Sequence, residues 1–264
     1  MVLGGSYARG TQREGSDLDL GLYYVEAAPF AIADIKDLAH NISTQKAPVV
    51  TDFYGWGAWV NGGAWIQTEV GKVDFVYRNL NQVQQTIAEA QQGIIQHDYN
   101  QQPAYGFYSV IYLAETEVCI PLYDPHAYIA GLKRQVASYP AALKKRVIVD
   151  WLWSAEFTLI QAQQFAATGD VYNTAGCLTR TAASLTQALF ALNETYFMSD
   201  KQVMEVIARF SIRPPGYVEQ ISAILAQPGQ TAAELSRTVA HLKAVWQSVV
   251  VLAGDIYQPK FNMG

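Results

Sequence analysis

Two aspartates separated by a single leucine begin an apolar run near the start of the chain, in the stretch GSDLDLGLYYV. The alternation of Asp19 with Leu18 and Leu20 predicts a β-strand that leaves this acidic pair. Residues i and i+2 of a strand point to the same side, so the carboxylates of Asp17 and Asp19 should converge. A hard cation such as Mg²⁺ relieves the repulsion between two such carboxylates. The alternative for an isolated Asp-x-Asp motif is a solvated acidic loop.

A glycine-serine turn, Gly4-Gly5-Ser6, precedes the acidic pair. Glycines after a strand let the backbone approach a ligand closely, and free N–H groups at the start of a following helix attract an anion. The hydroxyl of Ser6 adds a donor. Most Gly-Gly-Ser sequences are ordinary turns, so it is the combination with the acidic pair that indicates a phosphate-binding loop.

A third acidic residue, Asp74, lies inside the apolar stretch KVDFVYR. Its neighbours predict another strand of the same sheet, where an aspartate is costly to bury without a partner. Metal ions shared with Asp17 and Asp19 would supply that partner. A salt bridge to Lys72 or Arg78 is the alternative.

The chain changes its periodicity along its length. Residues 1–80 contain short strand-like runs broken by Gly and Asn, including a β-meander predicted in residues 57–78. A helical segment follows Pro29, with a buried face predicted for five apolar residues: Phe30, Ile32, Ile35, Leu38 and Ile42.

The C-terminal half has long helical stretches, the first of which should stop at Gly169. Capping boxes are predicted at Ser199 with Gln202 and at Thr231 with Glu234. We therefore predict an α+β protein: a small mixed β-sheet domain with flanking helices at 1–125, then an all-α bundle of about four or five helices at 126–264.

Charge and cysteine content exclude several classes of function. The net charge of −5 and the absence of a basic tract argue against a nucleic-acid partner, template-directed polymerisation and RNA tailing. Cys119 and Cys177 show no metal-ligand spacing and are expected to be reduced thiols. The most apolar late stretch, VWQSVVVLAG, is shorter than the ~20 residues of a membrane span, so we expect a soluble, cytoplasmic protein with no membrane partner.

The stretches GGSYARG, GSDLDL and VDF together resemble the signature of the DNA polymerase β-like nucleotidyltransferase superfamily, which is Gly-Ser, Asp-x-Asp and a third Asp on a later strand. A sheet domain joined to a helical bundle is similar to its small-molecule branch, which includes kanamycin and lincosamide nucleotidyltransferases. The signature covers residues 2–80, and ALFALNETYFMSDK extends a weaker resemblance into the bundle. These relatives usually carry a helix before the glycine strand. Here either the start is shortened or another element covers that edge of the sheet.

The resemblance implies transfer of a nucleoside monophosphate from an NTP, with ATP as the first candidate, to a hydroxyl of a small antibiotic-like molecule, with release of pyrophosphate. It implies two Mg²⁺ ions held by Asp17 and Asp19, with Asp74 binding the metal nearer the acceptor and helping to lower the pKa of its hydroxyl.

The resemblance also assigns phosphate contacts. Gly5 and Ser6 would hold the β- and γ-phosphates, and Ser16 would add a donor. Arg9 would clamp a phosphate through its planar fork, with a surface ion pair to Glu14 as the alternative.

The helical half would supply the acceptor's contacts. By analogy with kanamycin-type enzymes, Glu156 is the predicted general base, with Asp150 as its rival; ordinary surface acids are the alternative for both. Lys201 is a candidate phosphate ligand, and Asn61-Gly62-Gly63, close to Asp74 in sequence, would rim the cleft. The tryptophans are expected mainly in the core, with some able to stack on a nucleobase or a ring-shaped acceptor.

Two other functions fit the same motifs. One is a protein AMP-transferase of the antitoxin type, and the other is a nucleotide-binding relative that no longer transfers anything. Because dimers are common in the small-molecule branch, the resemblance also implies a homodimer.

Overall fold

The computed structural model describes residues 1–102 and 104–262, and the chain divides into two compact units. The first unit comprises Met1–Ala90 and Ile95–Ser138, and the second comprises Gln91–Ile94 and Tyr139–Gly264. The predicted boundary at 125/126 lies between two helices, at residues 110–118 and 128–136. These helices pack on each other, and both belong to the first unit.

The first unit contains both strands and helices. Its strands are β1 (Val2–Leu3), β2 (Leu18–Tyr24), β3 (Val49–Val50), β4 (Gly63–Thr68), β5 (Gly71–Asn79), β6 (His97–Asp98), β7 (Phe107–Tyr108) and β8 (Ile120–Pro121). Its helices are α1 (Gly5–Arg9), α2 (Ile32–Ile42), α3 (Leu80–Gln91), α4 (Val110–Val118) and α5 (Tyr128–Val136).

The second unit is helical. Its elements are α6 (Ala141–Ala167), α7 (Val171–Leu192), α8 (Val203–Ile207), α9 (Tyr217–Ala226), α10 (Ala232–Ala253) and a short 3₁₀ turn at Gly254–Ile256. A mixed sheet with flanking helices and a C-terminal helical region confirms the predicted α+β class.

Six strands form a mixed sheet in the order β3-β4-β5-β2-β1-β8. Only the central β2–β5 pair is parallel among these neighbours, and the others are antiparallel. β8 pairs with the edge of β1, and the amino group of Met1 donates to the carbonyl of Tyr123 at 2.8 Å. The outer edge of β1 is thus covered by another element of the chain, as one of the two alternatives expected from the sequence has it.

One face of the sheet packs on α2 and forms the core of the first unit. Its buried members are Tyr24, Ala39, Ala64, Ile66, Phe75 and Tyr77. Each strand alternates, so the residues between these core positions point to the opposite face. That opposite face carries the acidic residues.

The prediction of which α2 residues form its buried face is partly wrong. Ile32 and Ile35 pack against the core, but Leu38 and Ile42 are 44% and 38% exposed. The residue that continues the stripe is the fully buried Ala39, seven positions after Ile32 and thus two turns along the same face. Leu38 lies beside that stripe, and Ile42 is the last residue of the helix.

The predicted β-meander is a two-stranded hairpin preceded by turns. β4 and β5 pair from Gly63↔Val76 to Thr68↔Gly71. Residues 57–62 form turns and an isolated bridge and no strand: Asn61 has φ 60°, and its side-chain amide donates to the carbonyl of Ala58 at 3.1 Å.

The helix boundaries of the second unit follow the sequence signals in part. The first long helix ends at Ala167, just before Gly169 at φ 74°. Thr231 and Glu234 form the predicted capping box at the start of α10. The box predicted at Ser199 and Gln202 is wrong, because Gln202 precedes α8 in a left-handed conformation with no side-chain cap.

One helical segment, Ala232–Ile256, has the length and apolar composition that a membrane span needs. Leu235, Leu242 and Val249 are buried on it, and α10 packs against α6, α7 and α9. A core helix of a helical unit meets the same criterion, so the predicted cytoplasmic location stays a prediction.

The capping box supports a prediction about stability. Thr231→Ala should lower the free energy of unfolding by about 1 kcal/mol, because the Thr231 hydroxyl accepts from the backbone N–H of Glu234. Urea unfolding followed by circular dichroism measures the change. The control is Thr179→Ala, an exposed mid-helix position whose hydroxyl bonds only its own helix; equal losses in the two variants would contradict the prediction.

Candidate active site

The parallel pairing of β2 with β5 brings Asp19 directly beside Asp74. The adjacent residues Leu20 and Phe75 are also register partners and contribute to the core cluster. Because side chains alternate along each strand, both aspartates lie on the opposite face of the sheet. Neighbouring strands are about 4.8 Å apart, so the two acidic side chains start from adjacent positions.

Lys72 joins the other predicted acidic residue to this pair. Its Nζ lies 2.6 Å from Oδ2 of Asp17 and 3.2 Å from Oδ2 of Asp74. The hydrogen bond to Asp17 raises the pKa of Lys72, against the opposing effect of burial. In this structure Asp74 therefore has the lysine salt bridge that the sequence left open as an alternative.

Arg78, the other cation considered for Asp74, has a different partner. It is 6% exposed and forms a two-pronged ion pair with Glu115 of α4, with distances of 2.8 and 2.7 Å. Burial acts to lower the pKa of Arg78, but Glu115 keeps it raised. The centroid of the Tyr112 ring lies 5.3 Å from the guanidinium carbon. Arg78 thus ties α4 to the sheet face beyond the acidic residues.

The glycine-serine turn lies against the carboxylate of Asp19. Gly5 has φ 58°, and a Cβ at this position would lie 1.7 Å from Oδ2 of Asp19. The backbone N–H of Gly4 donates to the carbonyl of Asp19 at 2.8 Å. Only glycine therefore fits here, for both its backbone conformation and its lack of a side chain.

The remaining predicted phosphate ligands lie around this turn. Ser6 is the second residue of α1 and is half-buried. Arg9 is exposed, and its Nε donates to the carbonyl of Gly5 at 3.4 Å. Ser16 accepts a hydrogen bond from the backbone N–H of Arg13 at 2.8 Å, so its hydroxyl helps shape the loop before β2.

An exposed tryptophan continues the acidic row on the other side. Trp65 of β4 is the register partner of Asp74 and is 47% exposed. Directly opposite residues of antiparallel strands share a face, so the indole lies on the acidic face. Trp56 stacks on Trp65 with ring centroids 4.7 Å apart, and a Cβ on Gly63 would lie 2.9 Å from the Trp56 ring. The sequence did not single out this pair.

The predicted general base, Glu156, is buried and held by hydrogen bonds. Its side chain is fully buried in the second unit. The carboxylate accepts from the Tyr257 hydroxyl and from the backbone N–H groups of Lys260 (2.9 Å) and Phe261 (2.7 Å). The residue anchors the C-terminal segment and has no exposed surface from which to take a proton from an acceptor. The geometry thus replaces the predicted role with a structural one.

The two other predicted residues of the helical half are at its surface. Asp150 forms an ion pair with Arg146, one turn earlier on α6, at 2.6 Å. Lys201 is exposed in the turn before α8. The structure thus gathers Asp17, Asp19 and Asp74 in the first unit, and it places Lys201 in the second.

Within residues 1–102 and 104–262, no three His, Cys, Asp or Glu side chains are already arranged around a position for a metal ion. The donor set nevertheless suits a hard cation, since carboxylate oxygens are the ligands that Mg²⁺ prefers. Asp17 and Asp74 already share one cation, the ammonium of Lys72. The acidic residues therefore fit a divalent ion once that ammonium moves.

Residues 1–57 match the family model of the nucleotidyltransferase domain. This match confirms the prediction of a nucleotidyltransferase domain in this part of the chain. It includes the glycine turn, Asp17 and Asp19, and it ends before Asp74, which the sheet adds.

A similar solved structure is that of the nucleotidyltransferase-like protein from Exiguobacterium sibiricum 255-15, with 11% identity and a TM-score of 0.45 over 74% of this chain. The chain spans 59% of that protein. No curated protein matches the sequence.

The contact between Gly5 and Asp19 supports a prediction with a matched control. Gly5→Ala and Gly10→Ala both place alanine at a positive φ, but nothing lies within 4 Å of a Cβ at Gly10. Gly10→Ala should cost about 1 kcal/mol of stability from backbone strain alone. Gly5→Ala should cost clearly more, because it also displaces the Asp19 carboxylate. Urea unfolding measures both, and equal losses would show that the glycine turn does not touch Asp19 in solution.

Proposed function

We propose that the protein is a Mg²⁺-dependent nucleotidyltransferase. It moves a nucleoside monophosphate from an NTP, with ATP as the first candidate, to a hydroxyl of a small molecule and releases pyrophosphate. The observation that carries this proposal is the pairing of Asp19 with Asp74 across β2 and β5, next to a glycine turn inside the matched nucleotidyltransferase region.

The metal would be held by Asp17, Asp19 and Asp74. Bound there, Mg²⁺ would neutralise charge on the triphosphate and on the entering and leaving oxygens of an in-line displacement. The negative charge of the carboxylates would attract the metal ion to this end of the sheet. Of the two acids that Lys72 bridges, Asp74 is the less exposed, with 13% side-chain exposure against 38% for Asp17.

The glycine turn would bind the phosphates that leave. Gly5 brings the backbone against Asp19 with no side chain in the way, so a phosphate could approach both the turn and the acidic residues. The Ser6 hydroxyl would donate a hydrogen bond to a phosphate oxygen. The exposed guanidinium of Arg9 would bind a phosphate from the solvent side. Ser16 would act through the loop that it shapes.

The order of residues across the sheet supports a position for the acceptor. The sequence of neighbours is Gly5, Asp19, Asp74, Trp65. In an in-line displacement the entering and leaving oxygens are on opposite sides of the phosphorus. If pyrophosphate leaves at the glycine turn, the hydroxyl must enter from the side of Asp74 and Trp65.

Asp74 and Trp65 have complementary roles in this arrangement. The carboxylate of Asp74 would accept a hydrogen bond from the attacking hydroxyl and orient it. The half-exposed indole of Trp65, supported from behind by Trp56, offers an apolar surface on which a sugar, cyclitol or aromatic ring can lie. We therefore propose a ring-shaped, hydroxylated acceptor.

The decisive experiment is pyrophosphate release from each of the four common NTPs with Mg²⁺, over a panel of hydroxylated molecules that includes aminoglycosides and lincosamides. Asp74→Asn and the Asp17→Asn, Asp19→Asn double variant should reduce acceptor-dependent release by about a hundredfold or more. The control is Asp34→Asn, an acid of α2 remote from the acidic row.

The outcomes separate the candidate activities. Acceptor-dependent release that the control keeps and the site variants lose supports the proposal. Labelling of a protein by α-³²P-NTP, without release on the small-molecule panel, would instead indicate a protein AMP-transferase. NTP binding without any transfer would indicate a relative that retains binding only.

The acceptor platform leads to a separate kinetic prediction. Trp65→Ala should raise the acceptor KM about tenfold and leave the NTP KM within about twofold, because the indole meets the acceptor and not the nucleotide. Steady-state kinetics with the acceptor found above measures both constants. Tyr123→Ala is the control, an aromatic residue 67% exposed beside β8 at the far edge of the sheet. A rise in the NTP KM alone would place the nucleobase, rather than the acceptor, on Trp65.

A further inference from the structure

We infer that Lys72 is the internal cation of the acidic site: its ammonium bridges Asp17 and Asp74 in the metal-free protein, and a divalent metal ion must displace it to bind. This inference rests on the proposed function, because it assumes that these carboxylates are metal ligands. From the sequence, Lys72 was only a candidate salt-bridge partner of Asp74; here it also binds Asp17 and competes with the metal ion.

The geometry supports the bridging role. Lys72 is two residues before Asp74 on β5, so both side chains project from the same face of the strand. Asp17 belongs to the loop before β2, and the lysine Nζ joins it to Asp74 with distances of 2.6 and 3.2 Å. A single ammonium thus ties the loop that carries the first acid to the strand that carries the third.

Electrostatics gives the bridge its purpose. Three carboxylates gathered on one side of the sheet repel one another, and the repulsion destabilises the fold unless a cation compensates it. Lys72 supplies one positive charge between two of the three. The same charge repels a second cation. The binding free energy of a metal ion at these carboxylates is therefore weaker than it would be without Lys72.

Lys72 is also placed so that it can leave. Its side chain is 40% exposed, and it is the second residue of β5, close to the hairpin turn at residues 69–70. A lysine ammonium is a point charge on a flexible stem. Arg78 on the same strand is the opposite case, because it is buried and held by two hydrogen bonds to Glu115. Of these two cations, only Lys72 can exchange with an incoming ion at little cost in packing.

The test uses Mn²⁺ as the probe. It is titrated into the metal-free protein without nucleotide, and binding is followed by calorimetry and by electron paramagnetic resonance of the free ion. The melting temperature without metal is the second readout. Lys72→Met should bind Mn²⁺ about tenfold more tightly than the wild type. The same variant without metal should melt about 2–4 °C lower, because the carboxylates lose their counter-ion.

Two further lysine variants act as controls. Lys72→Arg keeps a positive charge of similar reach and should restore both the weaker Mn²⁺ binding and the melting temperature. Lys46→Met removes the same charge from an exposed loop position of the first unit and should change neither readout. Asp74→Asn should abolish the binding in either lysine background, which assigns the signal to this site.

The outcomes distinguish this inference from the proposal on which it rests. Equal Mn²⁺ affinities of Lys72→Met and wild type, with Asp74→Asn silent, would overturn the role of Lys72 and leave a metal site in place. A tightening also seen for Lys46→Met would overturn it too, since net charge alone would then account for the effect. Absence of Mn²⁺ binding in every variant, even with ATP added, would overturn both the inference and the proposed metal dependence.

Discussion

The parallel pairing of β2 with β5 is the interaction on which the candidate site depends. It is the one parallel pair of neighbours in the six-stranded sheet, and it places Asp19 level with Asp74. Register is strictly specified here because one face is buried. A slip of one residue would carry Asp74 into the core and expose Phe75. The aromatic and aliphatic packing on the α2 side therefore also determines where the acidic residues lie on the other side.

The acidic face is electrostatically balanced in two different ways along its length. At the start of β5, the partly exposed ammonium of Lys72 bridges Asp17 and Asp74. Farther along β5, Arg78 is buried and locked to Glu115, which fastens α4 to the sheet. A site that binds substrates and ions needs an exchangeable partner for its charges, whereas an element that supports the site needs a permanent one. In the proposed site, Lys72 would be the exchangeable partner and Arg78 the permanent one.

Local pattern was enough to predict much of the first unit. The alternation around Asp19 predicted β2, and the combined Gly-Ser, Asp-x-Asp and Asp signature pointed to residues that the sheet does bring together. The long helices and the capping box of Thr231 could also be predicted from the sequence, because caps and periodicity are short-range features. The left-handed turn at Gln202 was not, since the residue has no intrinsic preference for that conformation and the surrounding structure imposes it.

What the sequence by itself determined was the inventory of chemistry and its local placement: Asp19 and Asp74 at strand positions, Asp17 just before β2, a glycine-serine turn, and an apolar alternation that separates the core face from the acidic face. Tertiary structure alone decided which groups meet. Lys72 reaches an aspartate 55 residues away, and the buried Glu156 binds Tyr257 across 101 residues. The physical reason is that a charged side chain takes its role from its partners and its exposure, and both are set by contacts between segments far apart in the chain.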